Sequence, residues 1–151
     1  PPGAIDTTHF ISRRFAVAAA LAGALVPARS VAQAPTKIRF AFAGRELVAT
    51  LLDNPSARDL VTMLPLDLKI ADYSTNEKIA HLPRKLTKEG EGPFANEAPG
   101  DVCYYAPWSN LALFHAGYRY SRGLIRLGRL DGGFKHLRVR GEFPLRVELV
   151  R

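Results

Sequence analysis

The stretch IRFAFAGRELVATLLDNPSARDLVTML, residues 38–64, contains two hydrophobic periods in succession. Apolar residues of its first half recur at every second position, at Ile38, Phe40, Phe42, Leu47, Ala49 and Leu51. Gly44 lies between the two runs, and glycine readily adopts the backbone angles of a tight turn. The alternation therefore predicts a β-hairpin with one buried face.

The second half of the stretch has the signals of a helix. Asn54 is a good N-cap residue, and Pro55 is favoured in the first turn. Apolar residues then follow at helical spacing, at Ala57, Leu60, Val61 and Leu64. Pro65 ends the pattern, so we predict one helix over residues 54–64 that packs on a barrel through these four side chains.

The rest of the chain alternates mostly with a period of two. Further strands are predicted at residues 66–70, 78–82, 101–106, 111–116, 124–130 and 143–150. Residues 87–100, TKEGEGPFANEAPG, are rich in glycine, proline and charge and predict an irregular surface loop. One good helix is too few to cover a parallel sheet of seven or eight strands. We therefore expect a mainly β fold, a closed antiparallel β-barrel.

Residues 12–34, SRRFAVAAALAGALVPARSVAQA, have the three parts of an export signal. Arg13 and Arg14 precede a short apolar run, and small residues follow it. The Ser-Arg-Arg-Phe start resembles the twin-arginine class of signal. The apolar run of about 12 residues is shorter than the roughly 20 needed to span a bilayer. We therefore expect residues 1–32 to be removed, residues 33–151 to form one domain without a stable membrane anchor, and that domain to be periplasmic or secreted.

Composition excludes several classes of function. The formal net charge is +7, but the basic residues are scattered, so a solvated surface is favoured over a nucleic-acid interface. The single cysteine, Cys103, rules out a disulfide within the chain, and its apolar neighbours predict a buried thiol. His81, His115 and His136 lack metal-ligand spacing, and no glycine-rich phosphate loop occurs. We expect no metal and no cofactor.

Four segments together cover most of the predicted domain: LLDNPSARDLVTMLPL (51–66), NEKIAHLPRKL (76–86), GDVCYYAPWSNLALFH (100–115) and LIRLGRLDG (124–132). They resemble a bacterial family described as cyclophilin-like. The resemblance implies the cyclophilin fold, a closed eight-stranded barrel plugged by helices. It names a fold rather than a reaction, because the biochemical role of such proteins is largely unassigned.

Cyclophilins are prolyl isomerases, and the resemblance raises that activity for this chain. Their catalytic arginine lies in a Phe-His-Arg segment that leads to a Phe-x-x-Gln-Gly-Gly-Asp stretch. Here His81 and Arg84 are separated by two residues, and the Gln-Gly-Asp part is absent. Arg84 is therefore either a divergent catalytic arginine or a solvated charge at a strand end.

Aromatic and polar side chains are concentrated between residues 104 and 126, and ligand pockets typically combine the two. Glu77, at a turn leading into a strand, adds a further polar candidate. We predict a ligand-binding site made of Glu77, Tyr104, Trp108, Asn110, Phe114 and Arg126. The alternative is that most of these rings simply fill the barrel.

Two functions follow from these observations. The first is an exported cyclophilin-like module that binds a small molecule or a peptide without catalysis. The second is a divergent periplasmic peptidyl-prolyl cis-trans isomerase.

Overall fold

The computed structural model describes residues 22–151. By its internal contacts the chain divides into two units, Pro1–Ala32 and Gln33–Arg151. Arg13 and Arg14, the basis of the predicted export signal, lie outside the described residues. Residues 22–36 contain no helix or strand. Within residues 22–151, no helix has both the length and the apolar character needed to cross a membrane.

The second unit is a closed antiparallel barrel. Its strands are β1 (Lys37–Phe42), β2 (Arg45–Leu51), β3 (Leu66–Tyr73), β4 (Glu77–His81), β5 (Asp101–Tyr105), β6 (Asn110–Phe114), β7 (Leu124–Leu130) and β8 (Phe143–Leu149). Around the barrel they follow the order β1-β2-β7-β5-β6-β4-β3-β8. The predicted fold class, a mainly β closed barrel, is confirmed.

The helix α1 (Pro55–Met63) connects β2 to β3. Asn54 caps it: its side-chain oxygen accepts a hydrogen bond from the Ala57 backbone N–H at 2.9 Å. The Asn54 amide also donates to the Arg126 carbonyl on β7 at 2.9 Å, which ties the start of the helix to the barrel. Ala57 and Leu60 are fully buried, whereas Val61 and Leu64 pack partly buried against the core. The predicted helix and its packing face are confirmed.

The barrel interior is mostly aliphatic. Its fully buried side chains include Ile38, Phe40, Leu60, Ile70, Leu111, Leu113, Leu127, Leu137, Leu145 and Val147. Gly128 is required where β7 passes β2, because a Cβ there would lie 2.2 Å from the Thr50 carbonyl oxygen. The hairpin and the loop at residues 87–100 are also as predicted.

A second apolar cluster lies on the outer face of the barrel. Cys103, Ala112, Phe114 and Leu124 form it, on β5, β6 and β7, and four partly buried rings pack on it: Phe94, Tyr105, Tyr118 and Tyr120. The outer face of an antiparallel barrel is commonly polar because it meets water. An apolar outer face covered by aromatic side chains therefore marks this part of the barrel as unusual.

Candidate functional site

Strand register brings a set of side chains together on that outer face. Residue 77 on β4 pairs with Phe114 on β6, and His81 pairs with Asn110 further along the same two strands. On its other side, Glu77 pairs with Tyr73 of β3. Since alternate residues of a strand point to the same face, Glu77, Ile79 and their partners all face outward.

A pocket of about 330 Å³ opens above these strands. Its lining residues are Tyr73, Asn76, Glu77, Ile79, Tyr105, Trp108, Asn110, Phe114, Tyr118, Arg119, Ser121 and Leu124. We call it the outer-face pocket. Its size lies at the lower end of the range of about 300–1,000 Å³ typical of small-molecule sites.

Two aromatic groups line the pocket. In the first, the Trp108 ring meets Tyr73 at 5.2 Å and Tyr105 at 5.4 Å between ring centroids, both edge to face. In the second, Phe114 and Tyr118 stack in parallel at 3.6 Å. Trp108 ends a short 3-10 turn between β5 and β6, and 47% of its surface is exposed. The pocket therefore has an aromatic boundary with one ring open to solvent.

Among residues 22–151, Glu77 is the only carboxylate that lines the pocket. It is half-buried, and among residues 22–151 no side chain or backbone group forms an ion pair or hydrogen bond with its carboxylate. Burial without a partner disfavours the charged form and raises the pKa of Glu77 to about 7, from an ordinary value of 4.5.

Asn110 is the second poorly satisfied polar group of the pocket. The residue is only 1% exposed, and its Nδ2 donates to the Leu111 carbonyl at 3.0 Å. Its Oδ1 is buried and accepts no hydrogen bond from any of residues 22–151. A buried acceptor without a donor costs about 1–3 kcal/mol, which a donor from a ligand would recover.

Beside the pocket lies a polar network around a buried carboxylate, in which Arg126 Nε is the one buried side-chain nitrogen without a partner among residues 22–151. Asp101 is completely buried, and its carboxylate meets Arg129 Nε at 2.7 Å and Arg126 Nη2 at 3.2 Å. The Tyr118 hydroxyl donates to the same carboxylate at 2.6 Å, and the Ala98 N–H donates at 3.1 Å. The two arginines also donate to carbonyls of the 87–100 loop at 2.9 and 2.7 Å. This network holds that loop against the barrel.

Four of the six predicted site residues meet in the outer-face pocket: Glu77, Trp108, Asn110 and Phe114. The other two lie elsewhere. Tyr104 points into the barrel and is 1% exposed, and its hydroxyl accepts from the Leu86 N–H at 3.1 Å. Strand alternation makes Tyr104 a core residue, because Cys103 and Tyr105 take the outward positions on β5.

Arg126 also lies outside the pocket lining. Its guanidinium is committed to Asp101, to the Ala95 carbonyl and to the Phe94 ring, whose centroid is 4.3 Å away. The prediction that Arg126 shares a site with Trp108 is corrected on this point. Its ion pair with a residue 25 positions earlier in the chain could not be read from local sequence.

Arg84, the possible catalytic arginine, lies away from the pocket as well. It forms a bidentate pair with Asp59 of α1, with nitrogen-to-oxygen distances of 2.8 and 3.1 Å, and donates to Thr62 Oγ1 at 3.1 Å. These bonds lower the pKa of Asp59. Arg84 therefore anchors the chain after β4 to α1.

The remaining nucleophilic and ligating groups are buried or dispersed. Burial raises the pKa of the Cys103 thiol to about 12, so it is the buried apolar group that the sequence predicts. His115 is buried, and burial lowers its pKa. Within residues 22–151, no three His, Cys, Asp or Glu side chains come together as metal ligands.

Sequence reasoning missed several lining residues. Tyr73, Ile79, Arg119, Ser121 and Leu124 were not among the predicted site residues. A signal for Tyr73 existed, because residues 74–76 form a short turn that makes Tyr73 and Glu77 cross-strand partners. Arg119 and Ser121 lie on a loop that folds back over β6, and nothing local in the sequence indicates that path.

A closed eight-stranded antiparallel barrel with one main helix is the architecture of a cyclophilin-like domain. The chain belongs to the Cyclophilin-like family, whose model matches residues 40–148. A structurally similar protein is the hypothetical protein AF2241 from Archaeoglobus fulgidus, seen in solution, with a TM-score of 0.61 and 16% sequence identity. The match covers 76% of this chain and 94% of that one, and it shows the fold alone. No curated protein matches the sequence significantly.

Proposed function

We propose that this chain is an exported, non-catalytic binding module whose outer-face pocket takes a small molecule or one side chain of a peptide. The observation that carries the proposal is the pocket itself, in which Glu77, Trp108, Asn110 and Phe114 converge. Binding sites are typically apolar clefts with a few polar groups that fix the orientation of the ligand. Here the rings supply the apolar surface, and Glu77 and Asn110 supply polar atoms without protein partners.

The energetics favour binding over a purely structural role for these residues. Rings that only filled a core would be closed to solvent, whereas Trp108 and Tyr73 expose 47% and 42% of their surface. A ligand gains binding free energy here in two ways. It covers exposed aromatic surface, and it donates a hydrogen bond to an unsatisfied acceptor.

A divergent prolyl isomerase is the second candidate, and one observation favours it. Arg119 is exposed and lines the pocket, so an arginine does lie beside an apolar surface that could accept a proline ring. Weakening of the amide resonance needs a donor aimed at the amide nitrogen. Arg84 is engaged by Asp59, which leaves Arg119 as the arginine of the pocket that could act in this way.

The export part of the proposal rests on the pattern at residues 12–34. It predicts that material isolated from the periplasm or the medium begins at Gln33. Intact-mass analysis of that material measures the start directly. A mass that still includes Arg13 and Arg14 contradicts the export proposal.

Binding is tested by recording amide NMR spectra of the purified chain while adding a set of small fragments and short proline-containing peptides. We expect at least one compound to shift the resonances of Trp108, Phe114 and their neighbours in a saturable way. Shifts confined to other surfaces, or no saturable shift with any compound, would contradict a binding role for this pocket.

Catalysis is tested by a prolyl isomerisation assay with the same chain. We expect no acceleration above the uncatalysed rate. Arg119→Ala has a matched control in Arg122→Ala, since Arg122 lies on the same loop but outside the pocket lining. Turnover that Arg119→Ala abolishes and Arg122→Ala preserves would establish the isomerase instead.

A further inference from the structure

We propose that the outer-face pocket recognises an organic ammonium group, with the Glu77 carboxylate as its counter-ion and aromatic rings around it. The inference deepens the proposed binding function and rests on it. It assigns a chemical class of ligand, an amine or quaternary ammonium cation, to a pocket otherwise defined only by its shape.

Glu77 has an aromatic residue as its direct neighbour on both sides. Tyr73 is its partner on β3, and Phe114 is its partner on β6. Directly opposed residues of an antiparallel pair have Cβ atoms about 4.5–5.5 Å apart. Behind Tyr73 lies Trp108, and Tyr118 stacks on Phe114. The carboxylate therefore lies between two aromatic groups, because the register of three strands places it there.

This combination suits a cation. The face of an aromatic ring attracts an ammonium ion, most strongly for tryptophan, and quaternary ammonium ligands are commonly held by several such rings. A carboxylate supplies the full negative charge. A neutral ligand without a donor would bury Glu77 further without giving it a partner, and a neutral donor would leave its charge uncompensated, which is unfavourable in a buried site.

Arg119 is the one cationic residue that the described part of the chain contributes to the lining, and it does not reverse this preference. It is exposed, so water and salt screen its charge, whereas Glu77 is half-buried and its charge is screened less. The exposed guanidinium is also free to contact an anionic or polar part of the same ligand at the mouth of the pocket.

Asn110 adds a second requirement on the ligand. It lies four positions along β6 from Phe114, roughly 13 Å at the rise of an extended strand. Its unpartnered Oδ1 can only accept a hydrogen bond. The half-buried Glu77 carboxylate and the buried Asn110 Oδ1 lie at the two ends of the pocket without protein partners. Both are acceptors, so both favour a ligand that carries donors or positive charge.

The same arrangement makes binding depend on pH. The titratable groups around Glu77 on the outer face are Tyr73 on β3, His81 on β4, Asp101, Cys103 and Tyr105 on β5, and Tyr118 and Arg119 after β6. Tyrosine, thiol and guanidinium groups ordinarily titrate above pH 8, and burial raises the pKa of both Cys103 and Tyr118. With a pKa of about 7, Glu77 is the group of the described pocket lining that changes charge between pH 6 and pH 8, and His81 lies outside that lining. Ammonium affinity should rise over that interval.

The test compares choline with its uncharged isostere 3,3-dimethyl-1-butanol, followed by Trp108 fluorescence and by amide NMR shifts of the pocket at pH 8. Trp108 is the single tryptophan of the chain, so the fluorescence reports on the pocket alone. Glu77→Gln removes the charge and keeps the shape. Glu46→Gln is the matched control, because Glu46 is exposed on β2 outside the pocket lining.

We expect choline to bind the wild-type chain more tightly than the alcohol, and Glu77→Gln to weaken choline by about tenfold, or about 1.4 kcal/mol. Glu46→Gln should change neither affinity, and the alcohol should not distinguish Glu77→Gln from the wild type. Equal binding of choline and the alcohol to the wild type overturns the ammonium inference and leaves a neutral-ligand pocket. If neither choline nor the alcohol binds, the ammonium inference is overturned as well. The NMR screen of fragments and proline-containing peptides then decides whether the proposed binding function stands.

Discussion

Two acidic side chains on the outer face of this barrel, Asp101 and Glu77, have opposite surroundings. Asp101 is fully buried and is met by Arg126, Arg129, the Tyr118 hydroxyl and a backbone N–H. Glu77 is half-buried, and no group within residues 22–151 pairs with it. Both carboxylates have lost water, but only Asp101 receives protein donors in exchange.

The difference separates a structural acid from a candidate ligand-binding acid. A carboxylate that has its donors fixes the parts of the chain that supply them, here β7 and the 87–100 loop. A carboxylate without donors keeps its attraction for a cation that arrives from outside. Tyr118 belongs to both regions, since its hydroxyl binds Asp101 while its ring stacks on Phe114 in the pocket.

The largest effect is expected from Asp101→Asn. It leaves Arg126 and the buried part of Arg129 without their counter-charge, and removing one partner of a buried ion pair costs about 3–5 kcal/mol. Urea denaturation measures this loss. The control is Asp53→Asn, whose pair with Arg58 is exposed, with side-chain exposures of 92% and 60%. That variant should lose about 1 kcal/mol or less. Equal losses in the two variants would contradict a structural role specific to Asp101.

A smaller loss is expected from Tyr118→Phe. The variant keeps the ring stacked on Phe114 but removes a hydrogen bond to a buried carboxylate, which is worth about 1.5–3 kcal/mol. Tyr120→Phe is a matched control, because none of residues 22–151 forms a hydrogen bond with the Tyr120 hydroxyl. Denaturation midpoints of both variants give the comparison, and a neutral Tyr118→Phe would show that the two regions are not linked through this hydroxyl.

The smallest effect is a gain in stability, from Glu77→Gln. Because the folded pKa of about 7 exceeds the ordinary 4.5, the folded state holds the proton more tightly and the wild type loses stability as pH rises from 4.5 through 7. Glutamine removes that loss. A rise in pKa from 4.5 to about 7 corresponds to about 3.4 kcal/mol without screening. Because Glu77 is only half-buried, solvent screens part of this energy, and we expect a gain of roughly 1–2 kcal/mol at pH 8 and none at pH 4. A gain of the same size at both pH values would have to arise from packing rather than from charge.

Most of the fold can be predicted from the sequence because the hydrophobic periodicity of short segments determines most of its strands and its helix. Alternation at Ile38, Phe40 and Phe42 specifies a strand, and Asn54 with Pro55 specifies the start of the helix. The ends of the elements depend on partners: β3 continues to Tyr73 because residues 71–73 pair with β4. That pairing is a tertiary contact. The alternation of apolar residues at 66, 68 and 70 does not indicate it.

The site divides in the same way. Phe114 and Asn110 share a face because they lie four positions apart on one strand, and Trp108 ends the turn that leads into it, so local sequence brings them together. A concentration of aromatic residues does not say which face each one takes, and alternation along β5 places the Tyr104 ring inside the barrel. Arg126 lies outside the pocket lining because its partner, Asp101, approaches through the pairing of β5 with β7. Local alternation decides the first case, and a distant pairing decides the second.

The most direct test of the contrast between the two acids is a carbon-13 NMR titration of the Glu77 side-chain carboxyl, without and with saturating choline. The account predicts a pKa of about 7 in the free protein, because burial without a partner disfavours the ionised form. With choline bound, the pKa should fall toward the ordinary value as the ammonium stabilises the carboxylate. A pKa near 4.5 in the free protein, unchanged by choline, would contradict the account.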